Sequence, residues 1–425
     1  MSFALSLSGL NGASRAIDVI GNNIANSQTI GFKSSKARFA DVYASSISGG
    51  PAGGAPNAGV STAVINQQFT QGNLMQSENP LDMAITGQGF FRLSNNGDVS
   101  YSRDGQFQLG YDPDFPDQRF LISRTGLSVT GYLAEYTTDP QGVIVTTGKP
   151  QHISIDPNMP AAATSTVTVG ATLDARAPVP AAPFDLTNSA TYNNTTAVTA
   201  YDTAGASHEL RMYFVKSAPG NLWDMYSTMD GAGQTGPVSL SFDTEGVMTT
   251  AMPLAAQTYP LGSGGSMSVT LDFRGTVQYG RSFSVDSVTQ DGYRSGTVES
   301  SREFSVGADG IIEAHYSNGQ PRKVAQIVLA SFVNPDALIS IGDNQWIENA
   351  DPLMGTGTVI LDTPGRALGT TPMGLGPIQG GAKEQSNVDL STELVALIEQ
   401  QRNYQASAQT FKILDQILQD LANVR

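Results

Sequence analysis

The residue types that carry most enzyme chemistry are sparse in this sequence and show no catalytic spacing. The three histidines, His152, His208 and His315, lie far apart and match no metal-ligand pattern. The absence of cysteine excludes disulfide bonds, cysteine-ligated zinc and thiol catalysis. Neither the Gly-x-Ser-x-Gly nucleophile motif nor a Walker loop occurs. The sequence therefore predicts no catalytic residue, no cofactor-binding residue and no metal ligand.

One acidic segment, DPDFPDQ, resembles a calcium loop without satisfying its requirements. It offers Asp112, Asp114 and Asp117 as oxygen ligands. An EF-hand loop needs a glycine at its sixth position and a bidentate glutamate at its twelfth. Here Asp117 stands in place of the glycine and Ser123 in place of the glutamate, so calcium binding is not expected.

Composition and charge restrict the class of protein further. The chain of 425 residues is long enough for more than one domain, and its 45 glycines and 22 prolines are typical of short strands joined by tight turns. A net charge of −15 without a basic stripe argues against a nucleic-acid partner. No apolar run reaches the roughly 18 residues of a membrane span. The N-terminus lacks the positive region of a signal peptide, which by itself would indicate a cytoplasmic protein.

The elements that must supply any function are the two ends of the chain, beginning with the last 40 residues. From Ser386 to Arg425 there is no glycine or proline, and apolar residues recur every three or four positions. Ser386 or Asn387 is the expected N-cap. A helix of this length is typical of a coiled coil. The predicted interface residues of this helix are Leu390, Leu394, Leu397, Tyr404, Phe411, Leu414, Leu418 and Leu421.

The N-terminal segment provides a matching amphipathic helix. Its positions 3 to 24 follow an alternating four-three spacing, and a stop is expected between Asn26 and Gly31. The predicted interface residues here are Phe3, Leu7, Leu10, Ile17 and Ile24. Both helices could pack on an ordinary core of their own chain, or pair with each other and with neighbouring molecules.

Between the helices the sequence is β-rich and nested. Strand-like runs are separated by the hairpin signals Asn96-Gly97, Asp104-Gly105, Pro219-Gly220-Asn221 and Asn318-Gly319. The residue composition of the chain changes near residue 146 and changes back near residue 289. These two changes indicate an inserted domain. The expected organisation is a terminal helical domain (1–33 and 384–425), an extended, irregular connector (34–70 and 351–383), a β core domain (71–145 and 289–350) and an inserted outer β domain (146–288). The predicted fold class is therefore multidomain α+β, mostly β, with paired terminal helices forming a coiled-coil layer beside two nested β domains.

Several motifs together resemble one known family. They are SGLNGASRAIDVIGNNIANSQTIGFK, NPLDMAITGQGFF, YSRDGQF, GYLAEY, DGIIEAHYSNGQ, GDNQWIE and the C-terminal SNVDLSTELVALIEQQRNYQASAQTFKILDQIL. They resemble the bacterial flagellar rod and hook axial proteins and cover both ends and most of residues 71–145 and 289–350. The chain length and the single inserted β domain favour the hook over the shorter rod proteins.

The resemblance implies a structural role and a set of partners. It implies a subunit that polymerises with itself into a flexible helical tube, which joins rod to filament and transmits torque. The implied partners are other copies of the chain, the rod and hook-filament junction proteins, and, during assembly, the hook cap and the type III export apparatus. The implied location is the basal body and hook, extracellular after export, and no small-molecule substrate is implied.

Three alternatives stay open at this stage. The first is a distal flagellar rod subunit. The second is a secreted β-rich enzyme such as a glycan hydrolase, which needs two carboxylates across a cleft; Asp291 and Glu299 are candidates that no motif selects. The third is an adhesin, for which the inserted region 146–288 would be the carrier.

Overall fold

In the computed structural model the chain divides into two compact units. Unit 1 comprises residues 1–156, 299–314 and 322–425, and unit 2 comprises residues 157–298 and 315–321. The residues described are 3–41, 60–95, 97–111, 118–137, 139, 141–218, 220–262, 264–351, 355–364 and 375–423. Within them the fold is mostly β, with one long helix near each end of the chain, as the sequence predicts.

The two helices are α1, Phe3–Ala25, and α2, Leu390–Asn423. The stop predicted after α1 is confirmed, since the helix ends at Ala25 and Gly31 has φ +71°. The predicted N-cap of α2 is wrong. Asp389 caps this helix, because its carboxylate accepts a hydrogen bond from the Thr392 N–H at 3.0 Å. Asn387 instead forms hydrogen bonds with the backbone of Ser34 and Gln68.

Unit 1 begins with twelve strands that precede unit 2. They are β1 Ser35–Asp41, β2 Val60–Gln67, β3 Leu74–Gln76, β4 Met83–Ile85, β5 Phe90–Asn95, β6 Asp98–Ser102, β7 Phe107–Tyr111, β8 Arg119–Ser123, β9 Ser128–Glu135, β10 Val143–Ile144, β11 Gln151–His152 and β12 Ser154–Ile155. Strands β1 and β2 form an antiparallel pair, so the segment 34–70, expected to be irregular, carries regular strands. The hairpin predicted at Asn96-Gly97 is confirmed by the pairing of β5 with β6.

Unit 2 contains the next eleven strands. They are β13 Asn158–Met159, β14 Thr166–Asp174, β15 Asn194–Tyr201, β16 Ser207–Ser217, β17 Leu222–Met229, β18 Ala232–Ser241, β19 Gln257–Leu261, β20 Gly265–Asp272, β21 Val277–Tyr279, β22 Ser284–Gln290 and β23 Gly296–Thr297. A four-stranded sheet, β15-β16-β17-β18, and a five-stranded sheet around β14 contribute to one core. The alternation predicted for β16 is confirmed, because Leu210, Met212 and Phe214 are all fully buried there.

The remaining strands return to unit 1, apart from the end of β25 at His315 and the start of β26 at Pro321, which are grouped with unit 2. They are β24 Phe304–Val306, β25 Ile311–His315, β26 Pro321–Ile327, β27 Leu329–Phe332, β28 Ile339–Gly342, β29 Gln345–Ile347, β30 Val359–Asp362, β31 Ile378–Gly380 and β32 Ala382–Glu384. Strands β24 to β30 complete a fifteen-stranded sheet whose main order is β24-β25-β26-β9-β5-β6-β29-β28, whereas β31 and β32 form separate pairs with β4 and β3. The hairpin predicted at Asn318-Gly319 is confirmed, because β25 and β26 are hydrogen-bonded neighbours in this sheet.

Three boundaries differ from those expected. Residues 146–156 stay with unit 1 because β11 pairs with β9 and β12 pairs with β8. Residues 289–298 belong to unit 2, where β23 pairs with β13. The segment 351–383 is not merely a connector, since β30, β31 and β32 pair with β27, β4 and β3.

The Asp104-Gly105 turn is not a hairpin, which corrects another expectation. Strand β6 pairs with β5 and β29, whereas β7 pairs with β8. Asp104 accepts a hydrogen bond from the Gln106 N–H at 3.0 Å, and the Gly105 carbonyl accepts one from Met83. The turn signal is correct, but the chain leaves one part of the sheet and enters another.

Candidate assembly surface

The two terminal helices pack against each other in unit 1, in antiparallel orientation. A Cβ placed on Gly9, near the start of α1, would lie 3.2 Å from Oγ of Ser407, in the second half of α2. Near the other end of α1, Asn23 Nδ2 donates to Glu393 Oε1 at 3.2 Å. A larger residue at position 9 would separate the helices, so the glycine allows their close approach.

The side chains that α1 buries are small rather than large. Ser6, Ala13, Ala16 and Asn23 are buried. Of the predicted interface residues of α1, Leu7 is exposed, whereas Leu10, Ile17 and Ile24 are half-buried. The Phe3 side chain lies outside the described residues. The apolar row predicted for α1 is therefore not the face that a single chain buries most deeply.

Helix α2 has two apolar sides, and one of them is open in the single chain. The half-buried predicted residues are Leu397, Phe411 and Leu414, whereas Leu390, Leu394 and Tyr404 are exposed. The side chains of Leu418 and Leu421 lie outside those described. Four further apolar residues are exposed on α2, namely Val395, Ile398, Ile413 and Ile417. At 3.6 residues per turn these four lie roughly opposite Glu393 and Ser407, the residues that meet α1.

The four residues are not among the interface residues predicted from the sequence, because a polar stretch separates them. Val395 and Ile398 stand three apart, and Ile413 and Ile417 stand four apart, but Arg402, Gln405 and Gln409 occupy the same side between them. Two short apolar pairs on one side of a long helix were the available signal. We call Val395, Ile398, Ile413 and Ile417 the outer row of α2.

Two asparagines, the buried Asn23 and the half-buried Asn387, attach the helix pair to the strands of unit 1. Asn23 accepts from the Ser35 N–H and donates to the Ser35 carbonyl, both at 2.9 Å. Asn387 accepts from the Ser34 N–H and donates to the Gln68 carbonyl, both at 2.7 Å. Each side chain thus satisfies backbone groups at one end of the β1–β2 pair, where β1 begins and β2 ends, and this end is fixed relative to the helix ends.

Glu384, six residues before the start of α2, is the centre of a buried charge cluster. Glu384 Oε1 is 2.7 Å from Lys33 Nζ, and both side chains are 0% exposed. Arg103 Nη1 approaches Glu384 Oε2 at 3.4 Å. Lys33 also donates to the Thr70 carbonyl at 2.7 Å, and Glu384 accepts from the Gly72 N–H at 2.9 Å. This cluster joins four separate chain segments at the base of the helices.

The cluster contains two cations and one carboxylate, and its electrostatics reflect the imbalance. Burial lowers the pKa of Lys33 to about 8, although Glu384 opposes the shift. Burial also lowers the pKa of Arg103. The geometry supports a structural role for the pair of Lys33 and Glu384, because both side chains are fully buried.

The histidines show no catalytic arrangement within the described chain. His208 Nδ1 lies 2.7 Å from Asp230 Oδ2 and Nε2 lies 3.5 Å from Asp202 Oδ2, contacts that raise its pKa. His152 is exposed on β11. No group of three or more His, Asp or Glu side chains in the described ranges is placed to hold a metal ion. Asp112, Asp114 and Asp117 lie outside those ranges.

Neither described helix combines the length and hydropathy that a membrane span requires.

Three family models match separate parts of the chain. The flagella basal body rod protein model matches residues 5–33, which include most of α1. The model of the flagellar basal body protein FlaE D2 domain matches residues 172–293 in unit 2. The C-terminal model of the flagellar basal body rod FlgEFG proteins matches residues 379–424, which include α2.

Relatives that align over nearly their full length are flagellar hook proteins. The flagellar hook protein FlgE of Salmonella typhimurium is 38% identical over 437 residues, and the alignment covers 100% of both chains. The flagellar hook protein FlgE of Borreliella burgdorferi is 31% identical over 458 residues, with 99% of this chain and 98% of the relative covered. Among solved structures, the Helicobacter pylori flagellar hook protein FlgE2 aligns with 15% identity and a TM-score of 0.49, over 72% of this chain and 99% of that one.

Proposed function

Since this chain belongs to the flagellar hook protein family, we propose that its copies assemble into the hook through the α1–α2 helix pair. The chain is a structural subunit of the bacterial flagellar hook, and its relatives carry the name of a structural protein and not of an enzyme. The distal rod alternative is not favoured, because full-length relatives are hook proteins.

The observation that carries the proposal is the outer row of α2. Val395 is 66% exposed, Ile398 53% and Ile413 57% in the single chain. Exposed apolar side chains grouped on one side of a helix mark a contact surface in soluble proteins. Copies that cover this row with the helices of their neighbours would remove it from water. Heterologous contacts of this kind, when they do not close into a ring, generate a filament.

The proposed interface also includes the predicted residues that one chain leaves partly open. On α1 these are Leu7, Leu10, Ile17 and Ile24, and on α2 they are Leu390, Leu394 and Tyr404. Unit 2 would lie outside the helical layer and move as a rigid body when the tube bends. Contacts with rod, junction and cap proteins, and passage through the type III export apparatus, belong to the same proposal.

The test is assembly of full-length protein carrying Ile398→Asp. Burying an unpaired carboxylate between neighbouring helices costs several kcal/mol, so the critical concentration for tube formation should rise at least about 100-fold. The thermal unfolding midpoint of the monomer should be unchanged, since Ile398 is already in water there. Electron microscopy and sedimentation of concentrated protein measure the tubes.

A matched control is Val247→Asp in unit 2. Val247 is 51% exposed, close to the exposure of Ile398, so the change in chemistry and solvation is the same. The control should assemble at the wild-type concentration. Normal tubes from Ile398→Asp, or an equal defect in both variants, would refute the assignment of the outer row.

A further inference from the structure

Unit 1 contains an open, largely apolar cavity at the base of the helix pair. Its volume is about 500 Å³, and its walls include Phe69, Phe90, Phe332 and Pro335. The Phe90 ring contacts Phe69 edge-on at a centroid distance of 5.3 Å and Phe332 at 5.5 Å. The cavity is thus shaped by aromatic rings held at fixed angles, which suits an aromatic side chain as the occupant.

One wall of the cavity carries buried positive charge. Arg103 lines it, with the guanidinium carbon 5.3 Å from the centroid of the Phe90 ring. Arg103 donates to the Gly87 carbonyl at 2.8 Å and to Glu384 at 3.4 Å, but its buried Nε has no hydrogen-bond partner among the described atoms. Lys33 already occupies the other oxygen of Glu384 at 2.7 Å. The cluster therefore holds one more cation than carboxylate beside an apolar space.

The occupant that fits both features joins an aromatic ring to carboxylates. A segment of this kind occurs in the chain itself. Residues 112–117, DPDFPD, contain three aspartates, one phenylalanine and no basic residue. The segment connects β7 to β8 beyond their last pair, Tyr111 with Arg119, and lies outside the described residues. The cavity and the segment are complementary in charge and in the size of the aromatic group.

We propose that the cavity receives residues 112–117 of a second copy of this chain. Phe115 would enter the cavity and pack against the walls formed by Phe90 and Phe332, and a neighbouring aspartate would face Arg103. This inference rests on the proposed assembly of copies and adds a specific contact between unit 1 of one subunit and unit 1 of another. Both contact partners exist in every subunit, so the contact is heterologous and can repeat along a filament.

The absence of native cysteine allows a direct test by disulfide cross-linking of full-length chains. Gln88, exposed at the cavity, is replaced in one preparation (Gln88→Cys), and Asp112 in another (Asp112→Cys). The two are mixed, assembled into tubes, oxidised and separated without reducing agent. The expected yield of the mixed disulfide is at least about tenfold above the control, because docking raises the local concentration of the two thiols.

The control pairs Asp112→Cys with Asp98→Cys. Asp98 is exposed in the β5–β6 turn, at the opposite end of β5 from Phe90. Well-formed tubes with equal yields from the two mixtures would overturn the docking proposal and leave the proposed function intact. A chain carrying both Gln88→Cys and Asp112→Cys that cross-links only within itself would also overturn it, since the occupant would then come from the same copy. Failure of the unmodified protein to form tubes would contradict the proposed function and the second-copy occupant together.

Discussion

At the scale of single residues, Lys33, Arg103 and Glu384 form a buried charge cluster in unit 1. All three side chains are buried, so each charge has lost its hydration and depends on its partners. Glu384 is the shared partner, because both cations contact its carboxylate. The lowered pKa of Lys33, about 8, shows that burial outweighs the attraction of Glu384.

Glu384→Gln should destabilise unit 1 by about 3–5 kcal/mol, since it leaves two buried cations without a counter-charge. Chemical denaturation followed by tryptophan fluorescence measures the change. The sequence has two tryptophans, Trp346 buried in unit 1 and Trp223 buried in unit 2. A Trp223→Phe background therefore restricts the signal to unit 1.

The matched comparison is Lys33→Met in the same background. This variant removes the excess cation and keeps the pair of Arg103 with Glu384, so the loss should be smaller, below about 2 kcal/mol. If Lys33→Met were the more damaging of the two, the Lys33–Glu384 contact would matter more than the counter-charge for Arg103.

At the scale of elements, α2 has different neighbours on its two sides. Leu397 follows Glu393 by one turn and is half-buried, on the side that meets α1. Ile398 is the next residue and belongs to the exposed outer row. Leu397 therefore belongs to the pairing of helices within one chain. Its neighbour Ile398 belongs to the proposed pairing between chains.

Leu397→Asp should weaken the helix pair already in the monomer. An isolated amphipathic helix loses most of its stability without tertiary packing, so far-ultraviolet circular dichroism should show less helix and limited proteolysis should cut α2 sooner. The fluorescence transition of Trp346 should move little, since the fifteen-stranded sheet that contains it is unchanged. Helix content equal to that of Ile398→Asp would show that the two sides of α2 are not distinct.

At the scale of the whole molecule, the chain enters and leaves unit 2 at one place. The Val298 N–H donates to the Pro157 carbonyl at 2.9 Å, and β13 pairs with β23 beside it. Strands β26 and β27, which come after this excursion, pair with β9 and β5, which come before it. Unit 1 therefore requires both halves of the chain, whereas unit 2 is formed almost entirely from one continuous segment.

Replacing residues 157–298 with a short glycine linker should leave unit 1 folded. The ends to be joined are already adjacent, so the added loop-closure entropy is small. Trp346 is then the single tryptophan, and its emission should change cooperatively on heating. A broad, non-cooperative transition would mean that unit 1 depends on unit 2 for its stability.

The sequence by itself determined the features that depend on local pattern. Three-and-four spacing predicted α1 and α2, period-two alternation predicted the buried face of β16, and Asn-Gly pairs predicted the turns at 96–97 and 318–319. These signals are local because backbone geometry alone sets helical and strand periodicity. The motifs at both ends also supported the family that the full-length relatives show.

Only the tertiary structure decided which of the apolar sides is covered and which polar groups meet. Leu397 and Ile398 are equally apolar in sequence, yet one is half-buried beside α1 and the other is exposed. Lys33 and Glu384 are 351 positions apart, and their contact follows from the packing of unit 1. Asn387 hydrogen-bonds to backbone groups beside the ends of β1 and β2, and Asp389 caps α2. A side chain's partner is set by the neighbours that packing brings to it, and sequence spacing carries no record of neighbours so distant along the chain.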